Sequence, residues 1–164
     1  MGFSWYPGHM AKAVSQIKQS MKLIDVVIEI LDARAPRSTE NREFAEAVGN
    51  KPRIVVLNKA DLADPVATRA WVDCYTEAGI CAVPTNCRTG EGVAEVIAAA
   101  SAAAKAGAGP DVQRGPSRVR FRTAVLGIPN VGKSSFINRA AKRARVKTGD
   151  RPGVTRAKQW IVID

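Results

Sequence analysis

The chain has 164 residues and a mass of 17.5 kDa, with 46% hydrophobic and 24% charged residues, which fits one folded domain and excludes a disordered tail. Its formal net charge of +10 is lopsided: residues 1–104 carry 11 Lys and Arg against 12 Asp and Glu, whereas residues 105–164 carry 14 against 3. No run reaches the roughly 18 apolar residues of a membrane span, and the N-terminal MGFSWYPGHMAKA lacks the pattern of a secretory signal.

In chain order, residues 9–24 place Val14, Ile17, Met21 and Ile24 at helical spacing, with Lys12, Lys18 and Lys22 on other faces. DVVIEILDA (25–33) is short and β-branched and reads as a buried strand. A helix over 40–48 stops at Gly49. RIVVLN (53–58) is a second buried strand. Asp64 as N-cap and Pro65 in the first turn start the next helix, which Gly79 ends. ICAVP (80–84) is a third strand, and TNCRTGEG leads from it into an Ala-rich helix to about Lys105. AGAGPDVQRGPSR (106–118) has the composition of a flexible connection. Then come a strand over 119–127, a helix over 133–143 and a strand over 159–163. Strands and helices alternate, and the strands are continuous apolar runs. That combination predicts an α/β fold with a mostly parallel sheet covered on both faces. The chain stops directly after the last strand, with no closing helix, as the front portion of something longer would.

GIPNVGKS (127–134) fits Gly-x-x-x-x-Gly-Lys-Ser between a predicted strand and a predicted helix. Gly127 and Gly132 let the backbone wrap closely, so that successive N–H groups point at phosphate oxygens. The start of the following helix adds its positive end. Lys133, read as exposed to ligand rather than packed, reaches the outer phosphates, and Ser134 can offer its hydroxyl to Mg²⁺. This is a phosphate-binding loop.

NKAD (58–61) lies at the carboxyl end of the second strand, where nucleotide ligands of parallel sheets are expected. Asp61 can accept two hydrogen bonds from the ring N–H and exocyclic amine of guanine, a pattern adenine cannot supply. Asn58 can contact the Hoogsteen edge, and the Lys59 stem can cover the flat face. Four residues are a weak match alone and a strong one beside a phosphate loop. GTP is preferred over ATP. The phosphate loop follows the guanine motif by some seventy residues, the reverse of an ordinary GTPase, and a permuted chain explains this without changing the site. Residues 106–118 would then join the old C-terminal helix to the old N-terminal strand.

Together WYPGHMAKA, DARAPRS, NKAD, GIPNVGKSSFIN and TGDRPGVTRAKQW resemble the circularly permuted ribosome-assembly GTPases of the YlqF/YawG group, over nearly the whole chain. The resemblance implies a three-layer P-loop NTPase G domain over residues 1–164 and hydrolysis of GTP to GDP in maturation of the large ribosomal subunit. It implies Asn58, Lys59 and Asp61 on guanine, with a backbone N–H of TNC (Asn86 and Cys87) supporting the base. Asn130, Val131, Gly132, Lys133, Ser134 and Ser135 hold the phosphates, Gly153 lies beside them, and Thr155 joins Ser134 on Mg²⁺. Asn130 resembles the asparagine of GTPases activated by K⁺. Two features of the family are missing: the Asp-x-x-Gly motif, a role not assigned to Asp164, and the C-terminal RNA-binding domain. Readings outside that function are a GTPase of another RNA-related pathway and a non-catalytic RNA-binding module with a vestigial nucleotide site.

His9 is the only histidine. By itself it reads as a surface or capping residue; the resemblance makes it a candidate to orient the attacking water, since these GTPases have an apolar residue where others carry a glutamine. Arg34 and Arg37 either contact RNA or phosphate or pair with acidic neighbours such as Asp32. Arg139, Lys142, Arg143, Arg145 and Lys147 either dock rRNA or solubilise the helix end. Cys74, Cys81 and Cys87 have no C-x-x-C spacing and suit reduced thiols in a cytoplasmic protein, not zinc ligands. A monomer is expected.

Overall fold

The computed structural model describes residues 21–107 and 121–143, and the backbone of 147–149 and 158–163. A six-stranded sheet in the order β3-β2-β1-β4-β6-β5 organises them. Its strands are β1 (Val26–Asp32), β2 (Arg53–Asn58), β3 (Cys81–Thr85), β4 (Phe121–Leu126), β5 (Lys147–Gly149) and β6 (Lys158–Ile163). The helices are α1 (Pro36–Thr39), α2 (Arg42–Val48), α3 (Pro65–Glu77), α4 (Val93–Gly107) and α5 (Lys133–Arg143), with a 3₁₀ turn at Ala60–Leu62.

The four strands β1 to β4 are mutually parallel. Every residue of β1 is buried, which is why this strand reads as one apolar run rather than an alternating one. Its even positions Val26, Ile28 and Ile30 share a core with α4 and α5, through Val96, Ala100, Phe136 and Ala140. On the odd side, Val27 packs with Phe44 and Val48 of α2, and Leu31 with Tyr75 of α3. Glu29 interrupts that odd face and is matched there: Arg53 lies 2.6 Å from Glu29 and 3.0 Å from Glu40. Burial still raises the Glu29 carboxyl above the usual range.

Local signals set the helix limits. Asp64 accepts from the Ala67 N–H at 2.7 Å as an N-cap, and Pro65 follows at the first position. Asn41 does the same for α2, accepting from Glu43, and Gly49 at φ 58° ends it. The helix read over 40–48 is α2, and a separate turn that was not expected, α1, precedes it from Pro36. The last strand is the exception that a mostly parallel sheet leaves room for. β6 runs antiparallel to β4, and the three-residue β5 beyond it carries no sequence signal. The helix read over 9–24 and the connection at 106–118 fall mostly outside the described residues.

Because β1 separates β2 from β4, the guanine motif and the phosphate loop leave the sheet at the same carboxyl edge, one strand apart. Asp32, the last residue of β1, is in register with Asn58, the last of β2.

Candidate functional site

The phosphate loop connects β4 to α5 and is built from unusual backbone. Gly127 has φ 152°, Asn130 φ 68° and Gly132 φ 106°. A Cβ on Gly127 would come within 2.6 Å of the Ile30 carbonyl, so this glycine lets the loop lie directly on β1. A Cβ on Gly132 would collide with the Asn58 amide. Gly132→Ala is therefore expected to cost about 2 kcal/mol or more through positive φ and the clash. Urea unfolding of the nucleotide-free protein measures it; an unchanged midpoint would show that the loop and Asn58 are not packed together.

Lys133 opens α5 and differs from its expected exposed state. It is only 7% exposed, and its ammonium donates to the Ile128 carbonyl at 2.7 Å. The four-carbon stem packs inside the loop while the charge caps a loop carbonyl. Desolvation lowers its pKa. No carboxylate pairs with it among the described residues, so the loop holds an incompletely satisfied cation where an anion would sit. The first turn of α5 has no acidic residue, which leaves its positive end free for the same anion. Ser134 and Ser135 are exposed on that turn.

Asn58 has a role the spacing did not reveal. Its side chain is buried, donates to the Val131 carbonyl at 2.7 Å and accepts from the Cys87 N–H at 3.0 Å and, more weakly, the Thr85 hydroxyl at 3.4 Å. One amide thus ties the guanine motif, the phosphate loop and the TNC loop together. The Cys87 N–H expected to support a base is held by Asn58 here, and the Cys87 thiol is buried, which pushes its pKa up. Asn86 shapes the same loop: its side-chain oxygen accepts from Arg88 N–H at 3.0 Å and Thr89 N–H at 3.2 Å.

Lys59 has φ 62°, and its ammonium donates to the Asn130 carbonyl and to Asp32, both at 2.9 Å. Asp61 sits in the 3₁₀ turn with its carboxylate 3.7 Å from Arg88, whose side chain is 84% exposed. That long, solvated pair leaves the carboxylate available. Arg34 donates two side-chain bonds to Asp32, at 2.9 and 2.7 Å, and holds its carboxyl well below the usual carboxylate range. The acidic-partner alternative for Arg34 is the one observed, and Arg37 lies 3.5 Å from Glu40. Arg139 of α5 caps the Arg88 carbonyl. His9, Gly153, Thr155 and Asp164 lie outside the described residues.

Among the described residues no cluster of three His, Cys, Asp or Glu side chains forms a metal site. The cysteines Cys74, Cys81 and Cys87 are free, and no described helix is long and apolar enough to cross a membrane. The chemistry on offer is that of a phosphate cradle beside a base-reading loop.

Strand order, loop and guanine motif resemble those of a P-loop GTPase domain, with the phosphate loop late in the chain and central in the sheet. Residues 122–164 match the family model described as 50S ribosome-binding GTPase. The chain is 47% identical over 163 residues to Ribosome biogenesis GTPase A of Bacillus cereus, covering 99% of the chain and 55% of that protein. It is 40% identical over 161 residues to Mitochondrial ribosome-associated GTPase 1 of Bos taurus, covering 93% of the chain and 47% of that protein. Among solved structures, GNP-bound YlqF from T. maritima superposes with a TM-score of 0.59 at 29% identity, covering 91% of this chain and 56% of that one. The resemblance to the ribosome-assembly GTPases holds over nearly the whole chain, which spans about half the length of the curated relatives it matches.

Proposed function

We propose that the chain is a G domain that binds GTP and GDP and hydrolyses GTP to GDP during assembly of the large ribosomal subunit. The observation that carries this is the union of two motifs some seventy residues apart: Lys59 and Asn58 donate to the consecutive carbonyls of Asn130 and Val131. Base-reading and phosphate-holding groups therefore form one rigid site.

In this reading the chain's residues divide the ligand between them. Asp61 accepts from the guanine edge, and the Lys59 stem covers the face. The backbone of the phosphate loop and the start of α5 hold the phosphates, with Lys133 supplying charge. Ser134 and Thr155 would hold Mg²⁺, which supplies further positive charge at the phosphates, and Asn130 would help hold K⁺. Exposure of Ser134 at the helix start fits that role. His9 would orient the attacking water. The names of the relatives support a ribosomal partner, and the basic residues of the last third of the chain suit ribosomal RNA as the surface met there, in the cytoplasm in this reading. The vestigial-module alternative is disfavoured by Lys133, Ser134 and Asp61 all being in place.

Competition against fluorescent GDP tests the reading. GTP and GDP should displace the probe at concentrations at least about a hundredfold below ATP, because a site built around two guanine donors rejects a base lacking them. Equal competition by ATP would overturn the guanine assignment.

A further inference from the structure

The contacts of Asp32 extend beyond the turn in which it sits. Its Oδ1 accepts from the Arg34 backbone N–H at 3.1 Å and from Arg34 Nε at 2.9 Å. Its Oδ2 accepts from Arg34 Nη2 at 2.7 Å and from Lys59 Nζ at 2.9 Å. Arg34 thus saturates one oxygen and turns the other toward the guanine motif. Asp32 is buried, whereas the Arg34 side chain is half exposed. The carboxylate is fixed from its own turn and used by a neighbouring one.

We propose that Asp32 is a positioning residue for the guanine base, acting through Lys59. The proposal rests on the guanine-nucleotide reading and adds to it a residue outside both nucleotide motifs. Lys59 leaves the backbone in a left-handed conformation and is held at its far end by two acceptors, the Asp32 carboxylate and the Asn130 carbonyl. A lysine stem has four rotatable bonds, and ordering them is entropically costly. Fixing both ends meets that cost before ligand arrives and leaves the methylenes as a preformed surface for a flat ring. Of the two acceptors only Asp32 carries charge, so it supplies the stronger hold. The side-chain and backbone bonds from Arg34 keep Asp32 from swinging away with Lys59, which makes Arg34 the anchor of the arrangement.

The test is equilibrium and stopped-flow binding of fluorescent GDP, with inorganic pyrophosphate as a ligand that lacks a base. Asp32→Asn keeps the shape and removes the charge. It should bind GDP about tenfold more weakly, mainly by faster release, while pyrophosphate binds as in the wild type. Lys59→Met, which keeps a stem and removes the ammonium, should show a similar loss, and the double variant should be no worse than Lys59→Met alone. Wild-type GDP affinity in Asp32→Asn, a parallel loss of pyrophosphate binding, or additive losses in the double variant would each overturn the proposal. If Asp32→Asn does not fold, Arg34→Met, which removes both side-chain bonds that anchor Asp32, decides: a GDP loss with pyrophosphate binding intact supports it, and no loss overturns it. A wild-type protein that fails to bind GDP overturns the guanine reading as well, whereas tight wild-type binding with an indifferent Asp32→Asn removes this inference alone.

Discussion

Lys133→Met is expected to weaken GTP binding by about 10³-fold while leaving the nucleotide-free fold intact. The sequence alone suggested this from an exposed lysine, and the structure supplies a different reason. The stem is packed in the loop and the ammonium is desolvated, with one carbonyl as its partner. Methionine fills nearly the same volume, and removing a buried, unpaired charge is neutral or stabilising for an empty site. A bound triphosphate reverses the balance, since it supplies the negative charge that the buried ammonium lacks. Calorimetric GTP titration and thermal unfolding without nucleotide should therefore separate. If both fall together, Lys133 is a packing residue and the loop's binding role loses its main support.

Asp61→Asn should lower GDP affinity by about 10²- to 10³-fold and raise affinity for xanthosine diphosphate above the wild-type level. Guanine presents two donors to the carboxylate, and an amide would set one donor against another, leaving polar groups unpaired in the complex. Arg88 does not protect against this change, because its pairing with Asp61 is long and solvated. Competition of both diphosphates against fluorescent GDP in wild type and variant gives the answer. A variant that loses both bases alike would mean that Asp61 holds the turn rather than reads the ring.

What could be read from the residues is what local chemistry encodes. The runs at 26–32 and 53–58 had to be interior strands because, between their polar ends, only Glu29 interrupts their apolar character. Asp64–Pro65 marked the start of α3, and the phosphate-loop spacing marked the start of α5. The direction of β6 was not legible, since a short apolar run looks alike in either direction. Three side-chain contacts were hidden for one reason: their partners lie far away in sequence. Asn58 and Val131 are 73 residues apart, Lys59 and Asn130 are 71 apart, and Lys59 and Asp32 are 27 apart. Burial of Lys133 was hidden more locally, by a loop that folds back on its own lysine over 5 residues. Arg34 was left with two readings because its acidic partner, two residues away, was visible but not its geometry.

The place of β1 in the sheet has a consequence for the protein as it is made. Its neighbours are β2 on one side and β4 on the other. In the growing chain β2 and β3 follow quickly, so a half-sheet can form outward from β1 in one direction only. The other edge of β1 waits for β4, which ends at Leu126, roughly ninety residues after Asp32. At synthesis rates of about 5–20 residues per second, that edge stays unpaired for roughly 5–20 s. During this interval the N–H and C=O groups of a largely apolar strand face outward, a template for wrong pairing in a nascent chain. A strand paired on both edges in the finished sheet thus keeps one of them open while roughly ninety further residues are made.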